Sequence, residues 1–440
     1  MKGIFLDFSL LTFFLSMKKK VRIKKPTMKK YTFTLSICLL ASILAGCGGN
    51  KTPRWVDDPY QQKEYFLKDT VFSAPVEPEV GAANLAALQA NYHSQADFAK
   101  RRAEIRQEMI YQIGLVPMPE QSLNPVFNGK QTLDGYTVEN VALEILPGVW
   151  SYGNLYRPTN YSGKRPAVML AQGHSAQDIG LRCGRFMNAT QTIAASLAKM
   201  GAVVFNFDMF AYGESGEQVG KAAHRTGLGQ TMNVLACLSI LDWLETLPDV
   251  DASKIGMTGA SGGGTQTFYT TAIDDRIAVS VPVVQVSCFF PGGCPCESGR
   301  PVHGSVEPRT NNAEIAAMAV PRPLLVVSDG GDWTRTVDKV EYPFIQSIYS
   351  LYGKTDLAKN VHLPDEGHDY GPSKRYAMYD FMAQHLGLNK RAIMGTDGAY
   401  DESFVEILDP ETLLVFNRNY PSHSLTSPEQ VYDKLREMQQ

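Results

Sequence analysis

Short apolar runs and segments of helical period alternate along most of this chain. "YTVENVALEIL" and "SYGNLYRP" switch between apolar and polar residues with a period of two, as the strands of an antiparallel pair do. The runs "RPAVMLAQGH", "GAVVFNFDMFAYGES", "SKIGMTGAS", "AVSVPVVQVSC", "PRPLLVVSDGGDW" and "NVHLPDEGHDY" are each apolar and end in a polar loop. Between them, "TIAASLAKM" and "NVLACLSILDWLETL" carry helical spacing. Parallel neighbours need a crossover connection, so strands separated by helices predict an α/β fold. Its mostly parallel, twisted sheet would carry helices on both faces, across residues 132–388. In such sheets chemistry collects at the carboxyl ends of the strands, where the polar residues of these segments fall.

Ahead of this domain, residues 47–131 read as a linker with Pro53, Pro59, Pro75 and Pro78 and then a helical extension. Phe98, Ile105, Met109, Ile110 and Ile113 recur at helical spacing, and Gly114 supplies a stop. After the domain, residues 389–440 form a small C-terminal extension with strand-like stretches and turn residues, expected to pack against the core.

The first 46 residues differ in kind. The basic stretch "MKKKVRIKKPTMKK" precedes the apolar run "YTFTLSICLLASILAG" and Cys47, the layout of an export signal, with translation expected to begin at Met17 or Met28. The run is short for a membrane span. Leu44-Ala45-Gly46-Cys47 resembles the lipobox of bacterial lipoproteins, which implies lipidation at Cys47 and a periplasmic or surface-facing position on the bacterial cell envelope. Loss of residues 1–46 removes nine basic residues and one acid and moves the formal charge from −3 to −11. An acidic protein without a basic cluster is not expected to bind nucleic acid.

Cys183, Cys237, Cys288, Cys294 and Cys296 remain after Cys38 and Cys47 are set aside, an odd number that leaves at least one thiol unpaired. The "CPC" of Cys294 to Cys296 lacks the second cysteine pair or the histidine pair that a zinc site needs, so no metal is expected there. No phosphate loop or dinucleotide fingerprint is present, and no cofactor is expected.

The chemistry converges on "GMTGASGGGTQTFY". Gly259-Ala260-Ser261-Gly262-Gly263 fits Gly-x-Ser-x-Gly, a weak pattern alone. Here it follows a strand, "KIGMT", and opens a helix, the context of a nucleophile elbow. A serine hydroxyl needs a base to take its proton and an acid to fix the base's tautomer. His368 in "DEGHDYG" lies in the loop after the last strand, whereas His362 falls within that strand, His385 in the terminal helix and His423 in the tail. For the acid, reach favours Asp332 over Asp329 at the strand tip, with Glu297 in "CESG" as a third candidate. The oxyanion donors are expected to be the amide of Gly262 and the loop Gly173-His174-Ser175. Trp333, Tyr212 and Tyr370 are expected to line the substrate site.

With these residues in order, the chain resembles the α/β-hydrolase superfamily, within it the acetylxylan-esterase-like and dienelactone-hydrolase-like branch. The resemblance rests on "AQGH", "DMFAYGES", "GASGG", "SDGGDW" and "EGHDYG". It implies Ser261 as nucleophile, Asp332 as acid and His368 as base, acting on esters, acetyl esters of carbohydrate first among them. The oxyanion loop departs from that branch in lacking an Arg-Gly pair, and "CFFPGGCPCESGRPVHG" is an insertion after a core strand. Glucuronoyl esterases, which are similar in fold, can take their acid from that region, which keeps Glu297 open. A glucuronoyl-esterase-like or peptidase-like serine hydrolase and a non-catalytic glycan-binding protein on the same scaffold are the alternative functions. The sequence carries no reading of oligomeric state.

Overall fold

The apolar runs fold into a nine-stranded sheet in the computed structural model, which describes residues 54–440 apart from 122 and 176–182. The segment expected to be an export signal and Cys47 lie outside the described residues, and no described helix is long and apolar enough to cross a membrane. The strands are β1 (Asn124–Leu133), β2 (Tyr136–Leu146), β3 (Val149–Pro158), β4 (Arg165–Ala171), β5 (Val203–Phe207), β6 (Val250–Ala260), β7 (Ile277–Val283), β8 (Leu324–Asp329) and β9 (Ala358–Leu363). They lie in the order β1-β2-β3-β5-β4-β6-β7-β8-β9. Pairing is antiparallel from β1 through β3 to β5 and parallel from β5 onward.

Helices cover both faces, as parallel strands require. One face is packed by α1 (Pro78–Gln89), α2 (Gln95–Ile113), α4 (Gly227–Thr246), α5 (Gly262–Ile273) and α6 (Glu341–Leu351); α3 (Asn188–Lys199) and α7 (Pro372–Leu386) pack the other. The expected N-terminal helix is α2. The Ser94 hydroxyl caps it by accepting from the Asp97 amide, Gly114 ends it at φ 87°, and Phe98, Ile105, Met109 and Ile113 are buried. A last helix, α8 (Pro428–Glu437), brings Tyr432 edge-on to Phe66 at 5.2 Å, so both extensions share the core of the central domain.

Two regions differ from the sequence reading. β1 was not expected: it is an edge strand with exposed residues along both faces and with Pro125 and Gly129 in it, so no apolar alternation marks it. Its partner β2 supplies the register that its own residues do not signal. The strand-like stretch near residues 411–416 is not a strand. Side chains satisfy its backbone: Asn140 Nδ2 donates to the Thr412 and Leu414 carbonyls at 2.9 and 3.0 Å, Asn154 Nδ2 donates to that of Leu413 at 3.0 Å, and the Val415 and Phe416 amides donate to Glu214.

Glu214 belongs to a fully buried charge network that fixes the loop after β5. Arg185 Nε lies 3.1 Å from Asp208 Oδ2, and Arg185 Nη2 donates to Glu214 Oε2 at 2.6 Å. The same guanidinium donates to Asn154 Oδ1 and to the Leu413 carbonyl at 2.7 and 2.6 Å. Burial pushes the Asp208 carboxyl up to about 6, against the downward pull of Arg185. Asp208 and Glu214 both fall in "DMFAYGES", which is thereby a structural clamp joining β5 to the C-terminal extension.

Candidate active site

Ser261 sits at the turn between β6 and α5 with φ 56° and ψ −124°. A non-glycine residue in that region costs on the order of 1–3 kcal/mol and persists only where neighbours hold it. Here the Ser261 amide donates to the Val283 carbonyl on β7, and the Thr265 amide donates to the Ser261 carbonyl, both at 3.0 Å. The loop after β4 presses on the turn: a Cβ on Gly173 would lie 2.4 Å from the Ala260 carbonyl oxygen, so only glycine allows this approach. Gly262 opens α5, and the first amides of a helix have no intrahelical acceptor and face any negative charge beyond its N-terminus.

Three residues beyond β8, Asp332 meets the loop that follows β9. His368 Nδ1 and Asp332 Oδ2 are 2.6 Å apart, with the histidine about a third exposed and the carboxylate buried. Asp332 Oδ1 accepts from both the amide and the hydroxyl of Thr334 at 2.6 Å, which fixes the carboxylate. A carboxylate accepts, so Nδ1 carries the hydrogen and His368 presents Nε2 as its basic atom. The structure thus unites the expected base and the first-choice acid; among the described residues the Ser261 hydroxyl has no hydrogen-bond partner. Ser261, Asp332 and His368 all follow the carboxyl ends of parallel strands, those of β6, β8 and β9. Trp333 lies against His368 with ring centres 4.5 Å apart and stacks on Phe290 at 4.2 Å, an aromatic shelf beside the imidazole.

A buried lysine holds the histidine loop in place. Lys374 Nζ donates to the Gly367 carbonyl at 2.7 Å and to Asp369 Oδ1 at 2.8 Å, and lies 3.3 Å from Asp329 Oδ2. Lys374 and Asp329 are both fully buried, and burial, then the charge of Asp332, pushes the Asp329 carboxyl up from the usual range. Asp329 therefore anchors the loop through Lys374, and the histidine's partner is Asp332. Removing one member of a buried pair strands the other. Lys374→Ala is expected to destabilise the fold by about 3 kcal/mol and to lower kcat more than it raises KM. Urea unfolding and steady-state kinetics check this; unchanged stability would remove Lys374 from this role.

The other expected site residues fall in different places. Glu297 is buried in the insertion, where Oε2 accepts the Gly293 and Cys294 amides at 3.0 Å and Oε1 accepts from Gln285 at 3.1 Å. It shapes the insertion and does not bond His368. The Ser175 amide donates to the Tyr212 hydroxyl at 3.1 Å, which takes Ser175 out of the oxyanion set and makes Tyr212 a buried support. Tyr370 turns its hydroxyl inward to Thr258 Oγ1 at 2.7 Å, so of the three expected substrate aromatics only Trp333 borders His368. Of the remaining oxyanion candidates, Gly262 opens α5 and His174 lies against it: a Cβ on Gly262 would be 3.1 Å from His174 Cε1. The His174 ring also reaches His224 and Cys296, two residues that sequence reasoning left without a role. A cavity of about 170 Å³ between α1 and the insertion, lined by Val80, Gly81, Cys288, Phe289 and His303 among others, includes none of these candidates.

No family model matches the chain. Among curated proteins, it is 28% identical over 224 residues to YtaP of Bacillus subtilis (strain 168), a proposed hydrolase, across 47% of this chain and 74% of that one. Among solved structures, a glucuronoyl esterase from Teredinibacter turnerae T7901 shares the fold, with a TM-score of 0.52 and 13% identity over 80% of this chain and 99% of that one. Methylesterase BT1017 superposes with a TM-score of 0.75 and 38% identity, over 82% of this chain and 79% of its own. A strained serine between strand and helix, a mainly parallel sheet and this degree of identity together place the chain in the α/β-hydrolase superfamily, in the same family as methylesterase BT1017.

Proposed function

We propose that the protein is a serine esterase that hydrolyses carboxylic esters on carbohydrate through an acyl-enzyme on Ser261. The observation that carries this reading is the 2.6 Å contact of His368 Nδ1 with Asp332, which leaves Nε2 as a base at the same carboxyl edge of the sheet as the strained serine elbow. His368 Nε2 takes the Ser261 proton as Oγ attacks the ester carbonyl, and Asp332 stabilises the imidazolium. The Gly262 amide, joined by the His174 amide of the loop after β4, holds the oxyanion. Nε2 returns the proton to the leaving alcohol, and water then repeats the sequence to free the acid.

Which ester is cleaved is a separate choice. Sequence reasoning favoured acetyl esters; the relationship at 38% identity is to a methylesterase. A methyl ester places the bulky part of the substrate on the acyl side and releases methanol. The partly buried aromatic shelf of Trp333 and Phe290 beside His368 is a surface on which a sugar ring would stack during that step. Methyl esters of carbohydrate acids are thus the first substrates for this reading. In a panel of methyl-esterified uronic-acid oligomers and acetylated xylan, methanol release is expected to exceed acetate release by about tenfold or more in kcat/KM. Faster acetate release would restore the acetyl reading, and cleavage of an aminoacyl amide with neither ester touched would overturn both.

A further inference from the structure

We propose that His174, His224, Cys294 and Cys296 form a closed tetrahedral zinc site beside the serine elbow. One donor atom from each of the four lies within 4.8 Å of all the others. His174 Nε2 is 2.9 Å from His224 Nε2 and 3.3 Å from Cys296 Sγ. In a tetrahedral site with ordinary zinc bond lengths these two separations are about 3.3 and 3.6 Å, so His174 needs to draw back from His224 and Cys296 by only a few tenths of an ångström to hold the ion with them.

The orientation of His224 is the second observation. Its Nδ1 lies 2.9 Å from the Phe210 carbonyl oxygen, which can only accept, so the hydrogen is on Nδ1 and the Nε2 lone pair faces the cluster. A backbone carbonyl that fixes tautomer and ring direction in this way is the usual outer-sphere partner of a metal-bound histidine. His224, Cys294 and Cys296 are buried, and the Tyr212 ring packs on both imidazoles, at 6.0 Å from His174 and 5.0 Å from His224.

Two sulfurs and two imidazoles in tetrahedral array suit zinc above the harder divalent cations. Binding sends the two thiol protons to solvent, and two thiolates then balance the charge of the ion, giving a neutral centre suited to burial. The protein fills all four positions, so the ion has no place for a reacting water. Its work is structural: it ties the loop after β4 to the loop after β5 and to the insertion. Because the His174 ring lies against Gly262, this tie fixes the loop that faces Ser261. The spacing in sequence concealed the set, since His174 and Cys296 are 122 residues apart.

The test is metal content and ligand field, which do not depend on the esterase reading. The full chain is reduced, reconstituted with zinc, desalted and assayed by elemental mass spectrometry, then with cobalt in place of zinc. The expected result is about one zinc per chain, with cobalt giving the strong visible absorption of a tetrahedral site and thiolate-to-metal charge-transfer bands. Cys294→Ser with Cys296→Ser is expected to lose both, and Cys237→Ser, whose buried thiol lies in α4, to keep both. Less than about a tenth of an equivalent of zinc on the reduced wild-type chain, or the weak cobalt spectrum of a six-coordinate oxygen site, would overturn the proposal. If the double variant does not fold, these wild-type measurements decide alone.

Discussion

Ser261→Ala is expected to lower kcat for ester hydrolysis by about 10⁵-fold or more, while KM stays near that of the parent protein. The alanine keeps the turn, because the interactions that hold residue 261 at φ 56° are backbone ones, to the Val283 carbonyl and from the Thr265 amide. The hydroxyl itself makes no hydrogen bond among the described residues, so its removal is expected to change unfolding stability by no more than about 0.5 kcal/mol. Activity and stability are thereby separated in one variant. Residual turnover would come from oxyanion stabilisation and substrate positioning alone. A variant that folds as the parent does and keeps its turnover would end the assignment of residue 261 as nucleophile.

The next largest effect is expected from Asp332→Asn, about 10⁴-fold in kcat. The carboxylate now accepts from His368 Nδ1 at 2.6 Å and is itself held by Thr334. An asparagine that keeps its oxygen on Thr334 turns an NH₂ group toward Nδ1. Two donors cannot face each other, so the imidazole adopts the other tautomer, with its hydrogen on Nε2. The base is then blocked although every atom stands near its former place. Loss confined to kcat, with thermal unfolding unchanged, distinguishes this from a packing defect. Retention of turnover to within about tenfold would move the acid role elsewhere, with Glu297 the next residue to examine.

The strand-to-helix turn at Ser261 and the place of His368 were legible because each is a local event. Gly-x-Ser-x-Gly between a strand and a helix specifies its own turn, and a histidine just past the last strand lands at the carboxyl edge of the sheet. The acid was legible only as a choice. Asp329 and Asp332 are three residues apart, and what separates them is Lys374, fully buried 42 residues further on, which claims the first and leaves the second to His368. Tyr212 and Tyr370 were read as substrate aromatics, since nothing in sequence tells which way a tyrosine hydroxyl points; both turn to protein partners, Ser175 and Thr258. β1 was missed because an edge strand exposed on both faces has no apolar rhythm, and the tail was taken as strand-like because its apolar residues are paired by asparagine, arginine and glutamate side chains instead of a neighbouring strand. The cysteine and histidine cluster needed three loops to meet, an event of tertiary structure alone.

The most direct test of the account is covalent labelling of the folded chain with a fluorophosphonate, followed by peptide mass mapping. The account predicts a single adduct, carried by Ser261, and a sharp fall in labelling in the Asp332→Asn variant. Folded protein that stays unlabelled, or an adduct on any other residue, would contradict it.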